Sequence, residues 1–158
     1  MGMTLSEKDI DELLNSGNLS IEKNIRWKFK SGQRFYEFRV PILNTYQGNV
    51  LNLEMVGTKN AQISKYSFAL MLDNKRIRCL CPSGSHINRH PKRERINGIH
   101  KHKWSDQCQD SYVYVPKDIT DVNDISRTFR EFLEECGIIH TGTFDLPPTT
   151  QPEFSNMD

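Results

Sequence analysis

The chain has no apolar run of about 18 residues, so no transmembrane helix is expected among its 158 residues. Its opening stretch, MGMTLSEKDIDELL, has neither a basic segment nor an apolar one, so no secretory signal is expected either. That points to the cytoplasm, where the four cysteines (Cys79, Cys81, Cys108 and Cys136) are expected as reduced thiols. None of them forms the CxxC pair of common zinc knuckles. No P-loop, GxGxxG or GxSxG occurs, which removes Rossmann and α/β-hydrolase readings. There is no internal repeat.

What is present is unevenly placed charge. The net charge is +1. Yet from Lys75 to Ser105 nine Lys or Arg face one acid, Glu94, so this strip carries +8 and the remainder −7. Four of the five histidines (His86, His90, His100 and His102) lie in the same strip. A concentrated positive face usually meets phosphate or another acidic surface.

The pattern along the chain predicts an α+β domain over 1–145 and a flexible Pro- and Thr-rich tail over 146–158. Thr4 and Glu7 have capping-box spacing, and Leu5, Ile10, Leu13 and Leu14 continue a short acidic helix over 5–15, expected at a sheet edge. Alternating runs follow at Ile25–Trp27–Phe29, Tyr36–Phe38–Val40, Leu51–Leu53–Met55 and Tyr66–Phe68–Leu70–Leu72, then over 76–81. Turn signals stand at Ser31-Gly32, around Gln47-Gly48-Asn49 and at Asp73-Asn74. Connections this short imply an antiparallel meander of about six strands. Residues 82–97 read as a long basic loop, and strands resume over 99–104 and 112–115. Asp121 is the expected cap of a helix over 122–136, stopped by Gly137, whose apolar stripe packs on one sheet face. An edge strand is expected over 138–144.

Period two puts His100, His102 and Trp104 on one strand face, with the two imidazoles about 7 Å apart. Imidazoles titrate near neutrality, so such a pair can act as base and acid at a phosphodiester, or bind one metal. Carboxylates near the strip are few, Glu94 and Asp106, which argues against a two-magnesium nuclease centre. The favoured reading is a metal-independent ribonuclease. His100 and His102 would share acid and base roles, His86 would assist, and Arg78 would stabilise the phosphorane charge. Arg89, Lys92, Arg93, Arg95, Lys101 and Lys103 would hold phosphates, and Trp104 would stack on a base. No cofactor is expected. Structural zinc through His100, His102 and a cysteine or His86 is the minor alternative.

Arg78, Gly84, His86 and His100-x-His102, followed by the strand over 112–115 and the helix over 122–136, resemble the pattern of TumE-like toxins of toxin–antitoxin modules. Related prokaryotic and phage proteins carry a similar Arg…His…HxH arrangement. The resemblance covers about residues 76–137, and Leu80 departs from it where the pattern has an acid. It implies a toxin-like protein of a mobile element or phage that acts on RNA, with a helix-turn-helix antitoxin as partner. The alternative is a non-enzymatic phage accessory or anti-defence protein that engages nucleic acid or an acidic host protein through the basic strip.

Overall fold

Ser6 opens the first helix, its hydroxyl accepting a hydrogen bond from the Asp9 amide. The computed structural model of the chain describes residues 6–30, 32, 34–44, 52–119 and 121–149. The cap is therefore Ser6 instead of the expected Thr4, which lies outside those residues, and α1 spans Glu7–Leu14. Ile10, Leu13 and Leu14 are buried in the core, so the helix does more than lie at an edge.

After β1 (Leu19–Ile21) come β2 (Lys28–Lys30), β3 (Phe35–Pro41) and β4 (Leu43–Asn44), then β5 (Leu53–Asn60), β6 (Tyr66–Leu72) and β7 (Lys75–Cys81). β8 (Ser85–Asn88) and β9 (Glu94–Asn97) precede β10 (His100–Ser105) and β11 (Gln109–Tyr114). The second helix, α2, runs Ile125–Cys136, and β12 is Ile138–His140. Among the described residues seven strands make the main sheet, against about six expected, in the order β11-β10-β7-β6-β5-β3-β2. All its pairs are antiparallel, and the order follows the chain, as a meander requires. A separate three-stranded sheet, β12-β1-β4, pairs β12 parallel to β1. That long-range parallel pairing has no local turn to announce it. The turn expected around Gln47-Gly48-Asn49 lies outside the described residues, as do Ser31 of the first hairpin and residues 150–158 of the tail.

Period two sets the faces. Phe38, Met55, Phe68, Leu70 and Leu80 share the buried face, on which α2 lays Phe129, Phe132, Leu133 and Cys136. Phe68 meets Phe129 at 4.9 Å between ring centroids, and Phe144 stacks on Phe129 at 4.5 Å. Burying each such ring stabilises the fold by about 2–3 kcal/mol. α2 begins three residues later than expected because Asp124, and not Asp121, accepts from the Arg127 amide. Gly137 ends it in the left-handed region (φ 67°), where a Cβ would stand 2.0 Å from the Leu14 carbonyl oxygen.

The stretch expected as a long loop over 82–97 is instead a β-hairpin of β8 and β9, with Ser85 opposite Asn97 and Asn88 opposite Glu94. Asn88 anchors it to the sheet. Its side-chain amide donates to the Val113 carbonyl at 2.7 Å and its carbonyl accepts from the Val113 amide at 3.0 Å. The buried side chain thus supplies the edge of β11 with the bonds that another strand would make.

Candidate functional site

In the register of β7 and β10, His100 lies opposite Cys81 and His102 opposite Cys79. Cross-strand partners share a face, so two cysteines and two histidines gather on the side away from α2. The potential ligand atoms of Cys81, His100 and His102 all lie within 4.8 Å of one another. The hairpin adds His86, whose ring centroid is 5.4 Å from that of His102 and 6.3 Å from that of His100. Gly84 leads into β8 with φ 105°, where even a Cβ would come to 4.0 Å of His100 Cε1. The positive φ is what calls for glycine there, since an added Cβ would make only ordinary van der Waals contact with His100.

Backbone carbonyls fix the ring tautomers, because a carbonyl can only accept. His100 Nδ1 donates to Gly98 O at 2.8 Å, and His102 Nδ1 donates to Asp110 O at 3.0 Å. His86 Nε2 donates to Ser111 O at 2.7 Å. In the neutral rings the remaining nitrogens, Nε2 of His100 and His102 and Nδ1 of His86, carry lone pairs. His100 and His102 are only 5% and 7% exposed, which restricts access to them. A cleft of about 610 Å³ nevertheless reaches Cys81 and His100, passing Gly84, Ser85, Lys59 and Lys65.

The two cysteines differ in character. Their sulfurs are 3.7 Å apart. The hydrogen bond from Cys79 pulls the Cys81 thiol below the usual range, and His102 and His100 act in the same direction against burial. The same bond, with burial, holds Cys79 well above it. Cys81 is therefore the more readily ionised thiol of the pair.

Arg78 does not join the histidines. It turns to the α1 side, where its guanidinium pairs with Asp11 at 3.0 Å. Arg76 is the arginine near His102. The β6–β7 register passes from Leu70–Arg78 to Met71–Arg76, which leaves Ile77 as an extra residue and re-aims Arg76. Arg76 Nη2 lies 3.3 Å from the Asp110 carboxylate and 3.3 Å from His102 Nδ1. With the His102 Nδ1 proton on Asp110 O, the Asp110 carboxylate is the acceptor for Arg76.

The expected phosphate-binding residues divide. Arg89, Lys92, Arg93 and Arg95 stand exposed on the hairpin, and none forms an ion pair among the described residues. Lys101 is 1% exposed and paired with Asp118 and Glu135 on the helix side, so it cannot meet a phosphate. Lys103, opposite Arg78, is half-buried on that same side. Trp104 is buried in the core at an irregularity between β10 and β11, so it offers no stacking platform. The sequence marks Cys81 as a reduced thiol and one of the cysteines open to zinc, and it marks neither Arg76 nor Asp110 as a site residue. The shared period of Cys79-x-Cys81 and His100-x-His102 was the available signal.

A protein-family model described as a family of unknown function (DUF6978) matches residues 5–138, and the chain belongs to that family. No curated protein and no solved structure matches the chain. Among the described residues no helix is long and apolar enough to cross a membrane.

Proposed function

We propose that this protein is a toxin-like, RNA-acting protein of the cytoplasm. RNA lies along the β8–β9 hairpin, and a phosphodiester is worked on at the histidine cluster beneath it. One observation carries this reading: the hairpin that displays Arg89, Lys92, Arg93 and Arg95 to solvent also holds His86 against His100 and His102. Unpaired exposed cations are suited to phosphates, and imidazoles beside them supply proton transfer. Arg78 is absent from the cluster and Arg76 is engaged by Asp110, so the charge of a phosphorane needs another cation. A helix-turn-helix antitoxin is the partner that this reading implies.

The test is a fluorescence anisotropy titration with labelled single-stranded RNA between about 50 and 200 mM salt. Four phosphate contacts predict a slope of about −3 in log affinity against log salt, and Arg93→Ala should flatten it by about 0.7. Electrophoresis of the same RNA should show discrete fragments, reduced at least about 100-fold in rate by His102→Ala. Binding that is absent, or indifferent to salt, sinks the proposal.

A further inference from the structure

We propose that Cys81, His100 and His102 bind one divalent transition metal of the zinc type, leaving the fourth coordination position open towards His86 and the adjoining cleft. The donor set is one sulfur and two imidazole nitrogens, a combination that favours zinc over magnesium or calcium. The three donor atoms already lie within 4.8 Å of one another. Tetrahedral zinc, with bonds of about 2.0–2.3 Å, sets its ligand atoms roughly 3.5 Å apart, so closure by about one ångström completes the site.

The second observation is the hydrogen bonding behind the rings. His100 and His102 each place the Nδ1 proton on a backbone carbonyl, Gly98 O at 2.8 Å and Asp110 O at 3.0 Å. That arrangement fixes the tautomer and turns Nε2 outward as a lone pair, as metal-bound histidines do through their outer partners. Arg76 in turn holds the carboxylate of Asp110 at 3.3 Å, steadying the residue that orients His102. His86 stands outside the three-atom group, with its ring centroid 5.4 Å from that of His102, and so lies beside the position left open.

Three protein ligands with an open fourth position are the arrangement of catalytic zinc, whereas structural zinc has four. The open position suits an oxygen of a phosphate ester, for which a metal supplies the cation that the cluster otherwise lacks; His100 and His102 then serve as ligands, and proton transfer falls to His86, which stands outside the three-atom group. The site stands on its own geometry, whether or not RNA is the substrate.

The experiment uses the full chain, reduced and stripped with a chelator, then titrated with cobalt(II) as the probe and competed with zinc(II). The expected result is one equivalent bound, with a sulfur-to-cobalt charge-transfer band and visible bands of tetrahedral intensity that zinc abolishes. Cys81→Ser should lose the charge-transfer band, and Cys81→Ser and His100→Ala should each weaken affinity by more than about 100-fold, beyond the usual outer-partner loss. Cys108→Ser should change nothing. Far-ultraviolet circular dichroism of each variant separates ligand loss from unfolding, and if His100→Ala does not fold, Cys81→Ser decides alone. Absence of stoichiometric binding, or a Cys81→Ser protein that retains the charge-transfer band, overturns the proposal. Because metal binding is read without RNA, its failure is distinguishable from failure of the RNA reading.

Discussion

Lys101 shows how strand alternation divides one motif between two tasks. In His100-Lys101-His102 the imidazoles face the hairpin, while the lysine between them passes to the helix side and meets Asp118 at 2.8 Å and Glu135. Tyr114 donates to the same Glu135. Removing the ammonium leaves two carboxylates facing one another. Because Asp118 and Glu135 keep some contact with solvent, Lys101→Ala should cost roughly 2–4 kcal/mol, a little below the figure for a wholly buried pair. Urea denaturation measures this, and RNA affinity per folded molecule should stay at the wild-type level. A stable Lys101→Ala protein with weakened RNA binding would return the residue to the phosphate-binding set. The face shared by His100 and His102 was legible, since period two alone defines it. The identity of the nearby arginine was not, because the extra residue at Ile77 shifts phase in a way that RIRCLC does not reveal.

Among the elements, the most regular were the most legible. β6 and the apolar stripe of α2 follow their sequence periods, and Gly137 stops the helix where a left-handed residue is needed. Helix starts shifted by two or three residues because several side chains near each terminus can cap, and the fold selects Ser6 and Asp124. The β8–β9 hairpin was missed for a different reason. Its residues are mostly polar and charged, so hydrophobic alternation is weak, and its pairing is supported from outside by Asn88 and the buried Ile96. The hairpin should therefore open locally when that anchor is lost. Asn88→Ala removes two hydrogen bonds to Val113, and the free energy of local opening should fall by about 2 kcal/mol. Native-state hydrogen exchange should then accelerate across β8 and β9 and at Val113, with β5 and β6 unchanged. Uniform acceleration throughout the sheet would mean that Asn88 supports the whole fold and not the hairpin.

For the whole molecule, the division of charge has a structural counterpart. The acidic first helix lends Asp11 to Arg78, while α2 and the segment before it supply Glu135 and Asp118 to Lys101. Two cations of the basic strip are thereby neutralised on the helix side, and the hairpin cations remain open on the opposite side. Such polarity serves two kinds of protein, a toxin that cleaves RNA and an accessory protein that only masks a phosphate-rich or acidic target. Burial of His100 and His102 favours the second if those rings serve stability alone, and the cleft that reaches Cys81 and His100 favours the first. Induced expression in a bacterial host separates them. The toxin reading expects growth arrest by the wild-type chain and relief by His102→Ala, with circular dichroism showing the variant still folded. The masking reading expects His102→Ala to act as the wild type does, and only reversal of Arg93 and Arg95 to glutamate to abolish the effect. Loss of activity on charge reversal alone fits both, because each needs the hairpin cations to reach its target. The folded His102→Ala protein is therefore the deciding variant, and arrest that persists in it would remove the histidine cluster from the mechanism.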